Sequence, residues 1–343
     1  MTDQHPSAIG FRVTVGGTTF EQVNPSGLRS VMIEDHVDMA SLCTVIVGRS
    51  ETDPALSFKI GDAVEAYLMM SDEPLFKGEL VSIDHSFQVQ GTSTMTLRAI
   101  DNVHRLGRGR KTRFWNDMTD ADIAKEVGGE SGLSVEADPT EETHPYVMQR
   151  NESNIAFLKR IAARNNFQVR VEKDSLLFKK ASFGGQAIPL KMGEDLVSLN
   201  CSFNSSNQVQ KVIVQGWSPK DKKEIVGQSS IGEVTKIGGG SLGGEEAGVF
   251  GDSVAYITDI PVTSQEMADK VAKAEMERLA RQYCRGKCVV RGNSSIRAGT
   301  SIEVSGFSEG LNGAYYVIAS RHLINAKTGY STEVNFCSNT HGA

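Results

Sequence analysis

From Phe11 to about Asp101, apolar and polar residues alternate with a period of two. The runs "FRVTV", "VMIED", "CTVIV", "AVEAYL", "LVSID" and "TMTLRAI" are separated by Gly, Asp, Ser or Asn. Alternation of this kind places every second side chain on one face of a strand. Strands at this density, with no helical period between them, predict an antiparallel sheet closing toward a barrel or sandwich. The period changes after Arg113. Thr119 and Asp122 form a capping-box pair that predicts a helix from Asp120 to Val127, stopped by Gly128 and Gly129. A second helix is expected from Asn154 to Arg164, with Ile155, Leu158, Ile161 and Ala162 on one face and a stop at Asn165-Asn166. "QVRVEKDSLLFKKA" then reads as a hairpin turning at Lys173-Asp174.

Strands resume at Leu190 with "LVSLNCSF" and "QVQKVIVQGW". The polar, glycine-rich stretch from Ser218 to Asp252, which contains "GGGSLGGEE", is expected to be a long loop. Thr263 to Tyr283 is the strongest helical pattern, with Thr263 and Glu266 as its capping pair. Ala268, Val271, Ala272, Met276, Leu279, Ala280 and Tyr283 make one apolar stripe. At 1.5 Å per residue this helix would run roughly 30 Å. The stripe reads as core, with part of it able to line a subunit contact. Lys287 to Phe336 is β again. The fold class is therefore mainly β with an α+β insert.

One order of signals occurs twice. Gly61-Asp-Ala-Val64-Glu65 matches Gly299-Thr-Ser-Ile302-Glu303, a glycine turn entering an alternating strand. A second glycine follows each, Gly78 and Gly313. Each region then carries a strand ending in a histidine (His85, His322), a turn glycine (Gly91, Gly329) and a strand containing Ser-Thr. Any β protein produces some glycine-then-strand patterns, but four landmarks in one order point to a diverged duplication. Two similar modules present two similar faces, as a ring of regularly spaced identical subunits would require.

Composition narrows the classes. The chain has 343 residues, enough for two or three domains, and a net charge of -6, which argues against nonspecific affinity for nucleic acid or anionic lipid. No apolar run approaches the ~18 residues that span a bilayer. The start, "MTDQHPSAIG", lacks the basic and apolar regions of a secretory signal. Five cysteines at irregular spacing favour free thiols in a reducing cytoplasm.

The segments "FKIGDAVEAYL", "LFKGELVSIDHSF" and "LRAIDNVHRLGRGRKTRFWNDMTDADIAKEVGGESGL" resemble the hub proteins of contractile phage tails and contractile injection systems. So does "HPYVMQRNESNIAFLKRIAARNNFQVRV", where Gln149-Arg150-Asn151-Glu152-Ser153 leads into Phe157-Leu158, and so does the C-terminal "LNGAYYVIASRHLI" with "TGYSTEVNF". These marks resemble the late-control D family of phage tails, related to the N-terminal hub part of type VI VgrG proteins, across roughly residues 8 to 340. The resemblance implies two tube-like antiparallel β-barrel domains, a small α+β domain and one long helix. The corresponding boundaries are 1–107 for the first barrel, 108–188 for the insert and 189–343 for the second barrel, which includes the loop 218–252 and the helix 263–283.

The same resemblance implies a structural, non-enzymatic baseplate hub. It would be a homotrimer with pseudo-sixfold symmetry that joins a hexameric inner tube protein to a trimeric spike protein. Because the chain ends at Ala343, the spike is expected on a separate polypeptide. Other baseplate or tube-initiator proteins are further expected partners, with no membrane and no specific nucleic acid. The protein would be made in the bacterial cytoplasm, or the host cytoplasm for a phage, and assembled into the baseplate. The alternative is a tail-associated cell-wall hydrolase, which needs a positioned pair of carboxylates. A small-molecule or metal-binding β protein is a third class.

Few residues carry candidate chemistry. Cys284 and Cys288, in "CRGKC", have the spacing of half a zinc site, but tetrahedral zinc needs two more ligands and no second cluster is evident. His85 and His322 could be acid-base groups, yet no nucleophile or carboxylate is fixed beside them by spacing. "GGGSLGG" lacks the Lys-Ser/Thr of a phosphate loop. Glu152 stands at a helix start, where the helix dipole favours a carboxylate, and reads as a capping residue. No catalytic residue, metal ligand or cofactor is expected. The basic cluster Arg108, Arg110, Lys111 and Arg113 is either a solvated junction or the place where an acidic neighbour pairs in an assembly; it is the candidate partner interface.

Overall fold

The alternating stretch at the N-terminus folds into seven strands: β1 (Phe11–Val15), β2 (Thr18–Phe20), β3 (Leu28–His36), β4 (Met39–Arg49), β5 (Ala63–Leu68), β6 (Phe76–Ser86) and β7 (Ser93–Ile100). The structure is a computed structural model that describes residues 10–21, 27–49, 57–68, 71–89, 91, 93–172, 175–183, 185–218, 221–307, 310–325 and 328–341. Buried residues recur at every second position along much of β1, β3, β4 and β7 and the first half of β6, and Phe11, Val13, Val31, Ile33, Val45, Val64, Leu80 and Leu97 share one core.

The insert holds α1 (His104–Gly107), β8 (Lys111–Trp115), β9 (Met118–Thr119), α2 (Asp120–Gly129), β10 (Ser134–Ala137), β11 (Thr143–His144), β12 (Val147–Glu152), α3 (Asn154–Ala163), β13 (Phe167–Glu172) and β14 (Ser175–Lys180). Thr119 caps α2 by accepting from the Asp122 amide at 3.2 Å. Gly128 and Gly129 do not stop that helix; they are its last residues, and Glu130 is the C-cap. A Cβ on Gly128 would lie 2.4 Å from Val135, so the glycine serves close packing against β10. β13 and β14 pair antiparallel from Phe167–Lys180 to Glu172–Ser175, while the turn at Lys173-Asp174 lies outside the described residues. The core of the insert gathers Leu106, Trp115, Ile123, Val127, Phe157, Leu158, Ile161 and Phe178.

The remainder contains β15 (Ile188–Lys191), β16 (Leu196–Phe203), β17 (Lys211–Ser218), β18 (Lys223–Ser230), β19 (Ser241–Leu242), α4 (Gly243–Ala247), β20 (Val254–Ile257) and α5 (Gln265–Ala280). It ends with β21 (Cys284–Arg291), β22 (Ser301–Ser305), β23 (Gly313–Asn325), β24 (Gly329–Ser338) and β25 (Thr340–His341). Two expectations need correction here. The stretch 218–252 is not one long loop: β18 pairs with β17 along its whole length, and α4 follows β19. Three of its glycines, Gly227, Gly243 and Gly244, are packing residues; a Cβ on Gly243 would sit 2.1 Å from the Tyr283 ring. The long helix begins later than Thr263, because Ser264 is its N-cap and accepts from the Met267 amide at 3.0 Å. It ends at Ala280, before the turn into β21, which makes it about 24 Å long. Met267, Ala268, Val271, Ala272, Met276 and Ala280 bury against β17 and β18, so the stripe is core.

The chain is mainly β. Thirteen strands join in one sheet, whose order is β16-β21-β24-β23-β3-β4-β7-β6-β5-β1-β2, with β22 and β15 beside the first half of β23. The two β regions thus share a sheet, and β23 is the strand that joins them. It is long enough to serve twice. Its first residues pair with β22, from Val304–Gly313 to Ser301–Tyr316. Its last residues pair antiparallel with β3, from Ala319–His36 to Asn325–Ser30.

Candidate functional site

The strand ladders carry the duplication that the sequence predicts. In β6 and β7, Leu80 faces Ala99 and Ser82 faces Arg98, so Val81 is a bulge. In β23 and β24, Val317 faces Phe336 and Ala319 faces Asn335, so Ile318 is a bulge. The glycine turns close in the same way. Gly61 donates to the Leu80 carbonyl at 2.8 Å, and Gly299 donates to the Val317 carbonyl at 2.9 Å. The return bonds also match: Leu80 donates to Asp62 and Val317 to Thr300.

A second bulge repeats in the outer strands. The β3–β4 ladder slips between Leu28 and Ser30, and the β16–β21 ladder slips between Leu196 and Ser198. Bulges redirect a strand and are placed rather than incidental. Two of them at matching positions make β16-β21-β24-β23-β22 the counterpart of β3-β4-β7-β6-β5. The outermost partners differ, since β1 runs antiparallel to β5 whereas β15 runs parallel to β22.

One expected landmark differs in the structure. Val64 pairs with Gly78, but Ile302 pairs with Tyr315, so the counterpart of Gly78 is Tyr315 and not Gly313. The two glycines serve different needs. A Cβ on Gly78 would lie 2.4 Å from the Ile100 carbonyl oxygen, whereas Gly313 begins its strand at φ 138°.

His85 and His322 occupy the same register, opposite Met95 and Thr332. Their surroundings differ completely. His322 is buried because β3 lies alongside, with Ile33 directly opposite. Its Nδ1 is 2.9 Å from the Tyr330 hydroxyl and 3.2 Å from Thr332 Oγ1. Burial, aided by Arg297, lowers its pKa to about 4, which keeps the ring neutral. His85 is exposed and stacks on Phe87 with ring centroids 6.0 Å apart; Phe87 is itself 75% exposed.

The basic cluster is divided by the fold. Lys111 and Arg113 lie on β8 and both bind Glu130 at the end of α2, Lys111 at 2.9 Å. Arg113 also donates to Gln149 Oε1 at 2.9 Å and lies over the Trp115 ring at 4.6 Å. Burial alone would raise the Glu130 pKa, but Arg113 and Lys111 hold it below the usual carboxylate range. Arg108 follows α1 and is exposed, and Arg110 donates to the Asn151 carbonyl at 3.3 Å. The four cations therefore do not act as one patch: Arg108 and Arg110 face outward, and the other two hold the insert together.

"QRNES" has a structural task at nearly every position. Gln149 is fully buried and donates to the Glu152 carbonyl and Asn154 Oδ1. Asn151 takes a positive φ of 49° at the β12 bulge. Ser153, not Glu152, is the cap of α3 and accepts from the Ala156 amide at 3.3 Å. Glu152 instead pairs with Arg160 at 3.0 Å; against the raising effect of burial, that arginine keeps it ionised.

The thiols of "CRGKC" are buried on the inner face of β21. Cys284 lies 3.2 Å from Cys201 on β16, and that thiol together with burial raises the Cys284 pKa far above its ordinary value. Burial pushes Cys288 to about 12. Between α3, α5 and β23 lies a cleft of about 1100 Å³, rich in cations that include Lys159, Arg160, Arg164, Arg278, Arg281 and Arg285. Most of these already have partners, such as Glu152, Asp120 and Glu275.

The fold described here is shared with phage and secretion-system tail proteins. It matches the 43 kDa tail protein of prophage MuSo2 from Shewanella oneidensis with a TM-score of 0.75 at 15% identity, covering 95% of this chain and 97% of that one. It matches the tail protein from Neisseria meningitidis MC58 with a TM-score of 0.74 at 14% identity, covering 97% of each chain. The E. coli c3393 protein, a type VI secretion component described as structurally similar to T4 tail proteins gp27 and gp5, matches with a TM-score of 0.65 at 12% identity, covering 95% and 76%. No curated protein sequence matches the chain. By sequence the chain belongs to the family described as the Alg8 N-terminal domain, whose model spans residues 10–326. That description names a domain and no activity.

Proposed function

We propose that this protein is a structural hub of a tail-like contractile injection machine, acting by geometry rather than by catalysis. Three copies would offer six look-alike β modules, so a threefold object could meet a hexameric inner tube on one face and a trimeric spike on the other. The observation that carries this reading is the duplicated module, with its two bulges and its glycine closure repeated in register. The likeness of the fold to phage tail and type VI secretion proteins supports it. The units would be a first barrel over 1–107, an insert over 108–188 and a second barrel over 189–343. Electron microscopy and mass measurement of the full chain, alone and with the products of neighbouring genes, should give a threefold particle that caps a sixfold tube. A chain that stays monomeric in every combination would end this reading.

Arg108 and Arg110, both exposed, would meet an acidic neighbour in that assembly. Reversing both to glutamate should weaken co-sedimentation with the tube or spike protein about tenfold, while the melting temperature stays within about 1 °C of wild type. Lys111→Glu should instead lower the melting temperature, because it breaks the Glu130 pair. Unchanged co-assembly after the double reversal would leave Arg108 and Arg110 as a solvated junction.

A further inference from the structure

The junction between the two modules inside one chain is a template for the junction between chains. The second half of β23 lies against β3, residues Ala319 to Asn325 against His36 to Ser30. The counterpart of β23 is β6 and the counterpart of β3 is β16. Among the described residues, β6 pairs with β5 up to Leu80, and its second half, Ser82 to Ser86, has β7 on one side and no strand on the other. β16 ends the sheet, pairing with β21 along one side from Ser198 to Phe203. Both halves of the internal junction therefore recur as open edges, one at each end of the repeat.

We infer that the second half of β6 in one copy pairs antiparallel with β16 of the next, in the register of the internal β23–β3 junction. This inference rests on the hub reading and deepens it by naming the edges that join the copies. The internal register sets Ser320 against Asp35, His322 against Ile33, Leu323 against Met32 and Ile324 against Val31. Carried across the repeat, it sets Ile83 against Phe203 of the partner subunit, His85 against Cys201 of the partner subunit, and Ser86 against Asn200 of the partner subunit. Phe87 then meets Leu199 of the partner subunit.

Side-chain burial supports this choice of occupant. Ile324, the counterpart of Phe87, is 5% exposed and sits in the first core because β3 is beside it. Phe87 is 75% exposed and Val89 fully exposed just past the end of β6. On β16, Leu199, Cys201 and Phe203 are partly buried against their own core and would complete that cover. An unpaired edge of this kind is a template for another strand, and the strand that matches its bulge and register belongs to a second copy of this chain.

Disulfide trapping tests the register. Directly opposed residues of an antiparallel pair have Cα atoms ~4.5–5.5 Å apart, within disulfide reach. The full-length chain carrying Ser86→Cys and Asn200→Cys, alone and with tube and spike partners, should give covalent bands of two and three copies that reductant abolishes. Each single substitution should give none. A pair slipped by two residues, Ser86→Cys with Ser202→Cys, should give at most a tenth as much. Phe87→Ser should weaken self-association about tenfold without changing the monomer's melting temperature. Should the particle be threefold by mass and symmetry while neither cysteine pair links, or while the slipped pair links better, the edge pairing is wrong and the hub reading survives. A chain that never self-associates removes both.

Discussion

Asp120→Ala should unfold the insert at denaturant concentrations that leave the wild-type chain native, at a cost of about 3–5 kcal/mol. Asp120 opens α2 and is 1% exposed. It accepts from Arg164 Nε and from Asn165 Nδ2, both at 2.7 Å, and His144 Nε2 lies 3.4 Å away. Arg164 caps the end of α3, so one carboxylate ties the start of one helix to the end of the other. Removing it leaves the Arg164 guanidinium, largely buried, without its counter-charge. Urea titration followed by Trp115 fluorescence in a Trp217→Phe background reads this core directly, since Trp115 stacks on Phe157 at 5.0 Å. A loss below 1 kcal/mol would mean that the network does not hold the insert.

The same group sets an acid limit. Burial would raise the Asp120 carboxyl, but His144, Arg164 and Asn165 overcome it and hold the pKa at about 2. The unfolded chain protonates an aspartate near 3.9. Folding therefore gains from the ionised form above pH ~4 and loses that gain as pH falls toward 2, a total of about 2–3 kcal/mol. Asp120→Asn should start less stable at neutral pH and lose less stability than wild type between pH 4 and pH 2.

The second large effect belongs to Gly227. It lies in the middle of β18, where the backbone of α5 passes so close that a Cβ would stand 2.2 Å from the Ala268 carbonyl carbon and 2.4 Å from its oxygen. Backbone cannot rotate aside as a side chain can, so Gly227→Ala must lift the helix and open the core around Val212, Val214, Ile225 and Met276. The expected cost is about 3 kcal/mol, with Gly227→Val worse. Gly232→Ala, with no atom within 4 Å of the added carbon, should stay within about 0.5 kcal/mol of wild type. Equal melting curves for both alanine variants would contradict this packing.

The local chemistry of the chain was legible before its fold. Thr119 and its amide three residues on, the apolar faces of α3 and α5, and the alternation of β1 to β7 all follow from spacing along a few residues. The repeat was legible too, although Gly313 was matched to Gly78 where Tyr315 stands. The error is instructive, because a glycine marks either a positive φ or a close approach, and sequence alone does not distinguish them. "GGGSLGG" misled for the same reason: Gly243 makes room for the Tyr283 ring. The basic run at Arg108 looked uniform, yet Glu130, far along the chain, takes two of its cations.

By itself the sequence determined the strands of the first β region, the helices α2, α3 and α5, and that one strand order is used twice, because periodicity and caps depend on neighbours within a turn or two. The tertiary structure decided that the two modules share a sheet through β23, that His322 is enclosed while His85 is bare, and which edges stay open among the described residues. Those outcomes turn on pairing between residues hundreds of positions apart. Strand edges carry the same amide and carbonyl groups everywhere, so register is set by the bulges and buried faces of the assembled sheet.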